Sequence, residues 1–387
     1  METLIYLDNN ATTRIDPRVL ESMMPFLTET YSNASSTHQF GGKAFEAVKQ
    51  ARKEISELIG AESHEIIFTS GATEAINLAI KGIAEHSSKK GNHIITSLAE
   101  HSAVLDTCRY LEKKGYNVTY LPVGADGLID PDWLQSEMRS DTILVSIMMA
   151  NNETGVIQSI KMLSDVTHQH GAFFMTDATQ AVGKLPIKVD DLGIDLLAFS
   201  GHKFYAPKGV GGLFVRSRRP NRVILDTLIH GGGHERGMRS GTLNVPGLVG
   251  LGKAARISMD QMAEEGKKIR LLRDELEMKL LEIDNTVING ERVQRLYNTS
   301  NICFKGADAD AMIIGLKNIA VSNGSACTSA SIEPSHVLKA MGLSDEDAFS
   351  SLRFSLGRFN NMKEVLSVVN SVKEVVTSLR AMNQVKR

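Results

Sequence analysis

The sequence predicts an α/β protein built around a mostly parallel β-sheet. Short apolar runs alternate with helical segments of about ten to fifteen residues, the pattern typical of repeated strand–helix units. A parallel sheet of this kind needs helices on both of its faces. The chain has 387 residues, of which 42% are hydrophobic and 23% charged, which leaves room for two domains.

Capping residues and glycines indicate where helices begin and end. Asp16-Pro17 and Asp130-Pro131 each place an N-cap aspartate before a proline in the first turn. Apolar residues recur at helical spacing from Phe45 to Ile59, and Gly60 ends that pattern. A long, charged, amphipathic helix is predicted from Ala254 to about Glu282.

The predicted strands are short and apolar, and they lie at 66–68, 93–96, 118–121, 143–147 and 172–175. Two further apolar runs flank a glycine-rich turn that contains Lys203. We expect a large domain over 1–258, a boundary within the long helix, and a smaller α+β domain over 259–387 on which roughly residues 1–15 pack.

Composition excludes several classes of protein. The net charge is −2, so we expect no direct nucleic-acid or membrane partner. The N-terminus is quickly acidic, unlike a signal peptide, and no apolar run approaches membrane-spanning length. Three cysteines argue against a disulfide framework, and we expect a cytoplasmic location.

Lys203 and Asp177 carry the strongest chemical signal. Lys203 follows an apolar strand, where partial desolvation would lower its pKa and allow the amine to attack a carbonyl. Asp177 ends a second apolar strand, where only a cation partner justifies a carboxylate. A Schiff-base lysine with a carboxylate for a pyridinium nitrogen is typical of pyridoxal 5'-phosphate (PLP) enzymes.

Other polar groups also follow predicted strands. Small residues in Thr69–Glu74 would let backbone N–H groups approach a phosphate at a helix start. His101 could stack on a pyridine ring, and Asn151–Gly155 and Gln180 could hold a ring hydroxyl or a substrate carboxylate. Each is also compatible with an ordinary turn, but all fall at strand–helix boundaries, where ligands bind in open α/β sheets.

The segment 230–242 is too rich in glycine to pack as a core element. It indicates a backbone that approaches a phosphate or a partner subunit closely. Metal binding by His230 and His234 lacks a third ligand at conventional spacing, so we expect no metal site.

Cys327 is surrounded by small and polar residues, unlike a buried structural cysteine. We expect it on an exposed, mobile loop, where a thiol can attack a substrate and carry the product elsewhere. Cys108 lies in a helical pattern and Cys303 in a predicted strand, and both are most simply core residues. Arg353 lies in an apolar strand, and a substrate carboxylate would be a suitable bidentate partner for it.

Taken together, these residues resemble the cysteine desulfurases of the NifS/IscS type. The resemblance runs from residue 6 to residue 359 and rests on the motifs Thr-Ser-Gly-Ala-Thr-Glu (69–74), Ser-Gly-His-Lys (200–203) and Gly-Ser-Ala-Cys-Thr-Ser (324–329), the last in its longer, group I form. It implies a fold-type I PLP-dependent transferase with a mostly parallel seven-stranded sheet. Such enzymes convert L-cysteine to L-alanine and an enzyme-bound persulfide.

The resemblance also implies roles for individual residues. Lys203 would hold PLP and later remove the substrate Cα proton, His101 would stack on the ring and assist proton transfers, and Cys327 would attack the substrate sulfur. Asn152 and Arg353 would hold the substrate carboxylate. Cofactor contacts are implied for Ala72, Thr73, His101, Asn152, Asp177, Gln180, Ser200, His202, Lys203 and, from the other subunit of a homodimer, Thr242.

Several alternatives stay open at this point. The chain ends at Arg387 without the longer tail of the housekeeping bacterial form, which leaves the sulfur acceptor open, and we expect a specialised role for the enzyme. Iron–sulfur cluster assembly (including nitrogenase-type supply), tRNA thiolation and DNA phosphorothioation are all compatible with the sequence. A PLP aminotransferase would not need Cys327, and a selenocysteine lyase would differ in substrate. A non-enzymatic sulfur-trafficking scaffold is disfavoured because Lys203, Asp177 and Cys327 are all retained.

Overall fold

The structure, a computed structural model, describes residues 4–219, 221–324 and 333–385. Within these ranges the strands are β1 (Ile5–Tyr6), β2 (Ile66–Thr69), β3 (His93–Ser97), β4 (Asn117–Leu121), β5 (Thr142–Ser146), β6 (Phe173–Asp177), β7 (Leu196–Ser200), β8 (Gly211–Val215), β9 (Thr286–Ile288), β10 (Thr299–Phe304), β11 (Ile319–Ala320) and β12 (Ser351–Ser355). The helices are α1 (Pro17–Thr28), α2 (Gln39–Ile59), α3 (Ala72–His86), α4 (Ser102–Glu112), α5 (Pro131–Glu137), α6 (Ile160–Gln169), α7 (Val245–Leu280), α8 (Ala309–Gly315), α9 (His336–Ala340), α10 (Asp345–Phe349) and α11 (Met362–Val385).

A seven-stranded, mostly parallel sheet confirms the predicted fold class. Its strand order is β2-β8-β7-β6-β5-β3-β4. The strands from β7 to β4 pair in parallel, whereas β8 runs antiparallel to both β7 and β2. The carboxyl ends of the parallel strands therefore lie at one edge, where an open α/β sheet binds its ligands.

Helices cover both faces of this sheet, as the sequence predicts. On one face, Ile76 and Ile80 of α3 belong to the same apolar cluster as Leu196 of β7. On the other face, Ile55 of α2 and Leu251 of α7 belong to a second cluster, which contains alternate strand residues. Each fully buried aliphatic side chain of this size stabilises the fold by about 1.5–3 kcal/mol.

The long helix α7 begins earlier than the sequence predicts, at Val245 rather than Ala254. The side chain of Asn244 caps it by accepting from the Gly247 N–H. Glycine has a low helix propensity, so the glycines in the first turns of α7 hide its start in the sequence pattern. Packing explains one of them, since a Cβ at Gly252 would lie 2.6 Å from Ala51 Cα in α2.

The two ends of α7 belong to different apolar clusters. Its residues up to Ile257 pack with the large sheet, and those from Ile269 to Leu280 pack with β10, β12 and α11. Strand β1 pairs with β11, and its neighbour Leu7 belongs to the same C-terminal cluster. A domain boundary between residues 258 and 259 remains our proposal. Within the described ranges, no helix is long and apolar enough to cross a lipid bilayer.

Candidate active site

A cavity of about 500 Å³ opens at the carboxyl edge of the parallel strands. This volume lies in the range of small-molecule sites. Predicted site residues from six separate stretches of the chain line it together: Ala72, Thr73, His101, Asn152, Asp177, Gln180, Ser200, His202, Lys203 and Arg353. Of the other predicted site residues, Thr242 does not line this cavity, and Cys327 lies outside the residues that the structure describes.

Lys203 lies in a 3-10 turn (Gly201–Lys203) directly after β7. Its Nζ donates to the backbone oxygen of Asn10 over 2.7 Å and to that of Ala11 over 2.8 Å. The N-terminal segment therefore holds the amine at the cavity wall. Sequence reasoning missed this role of Asn10, because nothing in the N-terminal segment indicates which distant turn it contacts.

Asp177 ends β6 and is 5% exposed. Its carboxylate accepts from the Thr179 backbone N–H over 2.9 Å, and no ion pair among the described residues includes it. A buried carboxylate without a cation partner is costly. The Oγ1 of Thr179, which also lines the cavity, is buried without a hydrogen-bond partner among the described residues. The Asp177 carboxylate and the Thr179 hydroxyl both fit a ligand that carries a protonated ring nitrogen, as PLP does.

His101 is the N-cap of α4, and its Nδ1 accepts from the Ala103 N–H over 3.1 Å. This contact assigns the ring proton to Nε2. Burial lowers the pKa of His101, with the nearby Lys203 acting in the same direction and Asp177 opposing it. The imidazole is therefore neutral at pH 7 and can both accept and return a proton.

Glu100 is a further buried acid that sequence reasoning passed over. Burial raises the pKa of Glu100 well above its usual range, and the nearby Asp177 adds to this effect. Its Oε1 accepts from the Met148 backbone N–H over 2.6 Å.

The turn between β2 and α3 supplies the predicted phosphate end of the cavity. Helix α3 begins at Ala72, so its first backbone N–H groups are free of intrahelical partners and face an anion favourably. Strand β8 lies close against this turn, since a Cβ at Gly211 would lie 2.7 Å from Gly71 Cα. Burial lowers the pKa of His202 at the same end of the cavity to about 4, with Lys203 and Lys208 adding to the shift.

Ion pairs anchor the glycine-rich segment 230–242 to helices α3 and α2. Arg239 Nε donates to Glu74 Oε1 of α3 over 2.7 Å, and Glu235 accepts from Arg52 of α2 over 2.6 Å. Thr242, three residues after Arg239, is exposed. No cluster of three or more potential metal ligands occurs among the described residues.

Arg353 lies in β12, and its side chain is only 5% exposed. Its Nη2 donates to Asp8 Oδ1 over 2.7 Å, and its Nη1 donates to the backbone oxygen of Asn152 over 3.1 Å. The sequence predicted that this buried cation needs an anion, but it did not identify Asp8 as one. Its Nε is buried without a partner among the described residues.

The two cysteines that the structure describes are core residues, as predicted. Cys108 is 0% exposed, and burial raises the pKa of its thiol to about 12. Cys303 is 2% exposed, and burial raises the pKa of its thiol to about 11. Both thiols are protonated at pH 7 and are therefore poor nucleophiles.

Comparison with known proteins gives consistent results. The model of the family "Aminotransferase class-V" matches residues 5–368. The chain is 53% identical over 383 residues to the cysteine desulfurase IscS of Pectobacterium carotovorum subsp. carotovorum (strain PC1), and the alignment covers 98% of this chain and 94% of that protein.

Solved structures show the same similarity. A NifS-like protein superimposes with a TM-score of 0.91 at 37% identity, covering 97% of this chain and 100% of that one. The crystal structure of DndA from Streptomyces lividans superimposes with a TM-score of 0.78 at 39% identity, covering 89% of this chain and 97% of that one.

Proposed function

The chain belongs to the class-V aminotransferase family and, within it, to the cysteine desulfurases, and we propose how its residues divide the reaction among them. The enzyme is PLP-dependent and acts on L-cysteine. When bound, PLP supplies an electron sink for negative charge at the substrate Cα. The observation that carries the proposal is the meeting of Lys203, Asp177 and the first turn of α3 in one cavity.

Lys203 and Asp177 bind the two reactive parts of the cofactor. Lys203 Nζ would hold the cofactor covalently and would take the proton from the substrate Cα. Asp177 keeps the ring nitrogen protonated, which the absence of an ion-pair partner for it among the described residues supports. His101, neutral with its proton on Nε2, would stack on the ring when the cofactor is bound and would transfer protons.

The phosphate and the substrate carboxylate bind to different residues of the cavity. Backbone N–H groups of Ala72 and Thr73, with Ser200 and His202, bind the phosphate. The substrate carboxylate binds at Asn152 and Arg353, where Asp8 fixes the orientation of the guanidinium.

Cys327 accepts the sulfur. Its thiolate attacks the sulfur of the bound cysteine, an S–S bond forms, and the Cβ–S bond breaks. The electron pair of that bond stays on the carbon skeleton, which becomes alanine after protonation. Two observations support this assignment: Cys108 and Cys303 are buried and protonated, and Gly324, three residues before Cys327 in the sequence, lines the cavity.

The active enzyme is a homodimer in which Thr242 reaches the partner's phosphate site. Thr242 is exposed and lies outside the cavity of its own chain, and Phe40 and Phe45 of α2 are 61% and 53% exposed. A dimer in solution, and a weaker PLP affinity in Thr242→Ala, would support this arrangement. A protein that is monomeric while fully active would exclude it.

The persulfide is delivered to an acceptor protein in the cytoplasm, where the thiol stays reduced. Identity of 53% to a cysteine desulfurase IscS, against 39% to DndA, supports an acceptor of the iron–sulfur cluster type. Transfer of ³⁵S from Cys327 to purified acceptors for cluster assembly, tRNA thiolation or DNA phosphorothioation would identify the pathway.

Borohydride reduction tests the cofactor site directly. The purified enzyme should be yellow, and reduction should abolish the visible absorbance and leave a pyridoxyl group on one peptide. Peptide mapping should place that group on Lys203. A pyridoxyl group on any other lysine would exclude the proposed site.

A further inference from the structure

A second lysine is buried behind the cavity, in the turn that follows β6. Lys184 is 7% exposed, and its Nζ donates to Gln180 Oε1 over 2.6 Å. No carboxylate of the described residues forms an ion pair with it, and the charged groups that act on it are Lys203 and Arg353. Burying an amine without a carboxylate is costly, so this position calls for a reason other than ion pairing.

The electrostatic setting of Lys184 depends on what fills the cavity. Burial lowers the pKa of Lys184 to about 7, and the positive charges of Lys203 and Arg353 add to this shift. An anionic ligand in the cavity offsets these charges and favours the ammonium form of Lys184.

The neighbours of Gln180 determine which way its carboxamide faces. Lys184, as an ammonium, only donates hydrogen bonds, so the amide oxygen must face it. The backbone oxygen of Asn10 only accepts, so the amide nitrogen must face it, and the two lie 2.9 Å apart. A flipped amide would break both contacts and place two oxygens against each other.

The same backbone oxygen connects this amide to the cofactor lysine. Asn10 O accepts from Gln180 Nε2 and also from Lys203 Nζ over 2.7 Å. The Asn10 side chain is itself fixed, since its Nδ2 donates to Thr299 Oγ1 over 2.9 Å. A carboxamide nitrogen carries two hydrogens, and Asn10 uses one of those on Gln180. The other is left for an acceptor in the cavity, which Gln180 lines.

We propose that Lys184 is a positioning residue, which fixes the Gln180 carboxamide so that its NH₂ group donates to the ring hydroxyl of PLP. This inference rests on the proposed function, in which Gln180 contacts the cofactor. Lys184 acts through Gln180 and does not itself touch the reacting atoms.

A double-mutant cycle on PLP affinity tests this inference. Full-length protein is stripped of PLP, and the Kd for added PLP is measured for wild type, Lys184→Met, Gln180→Ala and the double variant. Lys184→Met and Gln180→Ala should each raise the Kd about tenfold. The double variant should be no weaker than Gln180→Ala, because Lys184 has nothing left to orient. Lys188→Met, at an exposed lysine four residues further on, is the matched control and should leave the Kd unchanged.

The visible absorbance of the PLP-loaded proteins gives a second readout that a general loss of stability would not move. A hydrogen-bond donor to the ring oxygen of PLP favours the anionic form of that oxygen, which absorbs visible light. The visible absorbance of Lys184→Met and of Gln180→Ala should therefore fall by the same amount at a fixed pH.

If Lys184→Met does not fold, Lys184→Gln replaces it in the cycle. The glutamine side chain in Lys184→Gln is shorter than lysine, and its amide both donates and accepts hydrogen bonds. It therefore does not fix the orientation of the Gln180 carboxamide, and the results expected are those of Lys184→Met.

Two outcomes would overturn the inference: an unchanged Kd in the Lys184 variant, or effects that add fully in the double variant. If either result is obtained while the wild-type protein still binds PLP at Lys203, only the role of Lys184 is refuted. Failure of the wild-type protein to bind PLP at Lys203 would instead refute the proposed function.

Discussion

The guanidinium of Arg353 and the carboxylate of Asp8 form an ion pair at 2.7 Å, although 345 residues separate them in the sequence. Because Arg353 also donates to the backbone oxygen of Asn152, three distant segments meet at this side of the cavity. Asp8 holds one nitrogen of the guanidinium, and thereby sets the direction in which the rest of the group faces.

Replacing Arg353 with alanine should weaken cysteine binding by roughly 1.5–3 kcal/mol, because it removes the charge-assisted hydrogen bonds that we propose it makes to the substrate carboxylate. PLP content should stay near the wild-type value. Arg353→Lys, which keeps the charge but not the planar fork, should recover part of the affinity. A variant that loses PLP yet binds cysteine normally would show that Arg353 serves the cofactor rather than the substrate.

Replacing Glu74 with glutamine should raise the Kd for PLP about threefold to tenfold. Although burial alone would raise the pKa of Glu74, hydrogen bonds from Arg239 and Ser70 lower it, so the group is a carboxylate that anchors the turn before α3. Fluorescence titration of the cofactor-free protein measures the effect. Glu85→Gln, at an exposed position on the same helix, is the control, and equal Kd values in the two variants would contradict the prediction.

Stability should decrease as the pH falls below about 6.5, in part because of His93. Its ring lies between the hydroxyls of Thr142 and Thr119, and burial lowers its pKa to about 4. The unfolded chain, with a histidine pKa of about 6.5, therefore binds a proton before the folded protein does. The contribution of His93 is full above pH 6.5 and is lost as the pH falls towards 4, by about 1–2 kcal/mol at pH 5.

Urea unfolding between pH 7 and pH 5 measures this loss. His93→Gln should flatten the pH dependence, whereas His230→Gln, at an exposed histidine, should leave it unchanged. An equally steep decline in His93→Gln would assign the effect to other groups.

Cys108 and Cys303 should resist alkylation in the native protein and react only after unfolding. Their side chains are 0% and 2% exposed, and their thiols are protonated at pH 7. Mass spectrometry after a timed exposure to iodoacetamide checks this expectation. Rapid native labelling of either residue would remove one argument for Cys327 as the sulfur acceptor.

The sequence predicted the sheet and most of the cavity, because both depend on local patterns. Strand ends and helix caps are readable over a few residues, and Asp177, His101 and Lys203 each lie at or shortly after the end of a strand that the apolar pattern identifies. Once these strands are placed in one parallel sheet, their polar ends must meet at one edge.

The groups that support the site were not predicted, because their contacts join distant segments. Asn10 contacts Lys203 across 193 residues, and Arg239 contacts Glu74 across 165. Lys184 has no local pattern that distinguishes it from a surface lysine, and only its burial in the structure identifies it. Hydrogen bonds of this kind are consequences of the tertiary fold rather than signals in the sequence.

The central claim is that Cys327 takes the sulfur from cysteine, and the Cys327→Ser variant tests it most directly. The variant should bind PLP on Lys203 and still bind cysteine, since neither step uses the thiol. Alanine and sulfide release should then fall together, because a hydroxyl of normal pKa is a far poorer nucleophile than a thiolate.

The decisive measurement is alanine formed per active site by Cys327→Ser, with Cys108→Ser and Cys303→Ser as matched controls. We predict near-complete loss of alanine in the first variant and near-normal turnover in the two controls, provided that they fold. Normal alanine production by Cys327→Ser, with persulfide found on Cys108 or Cys303, would contradict the mechanism proposed for this enzyme.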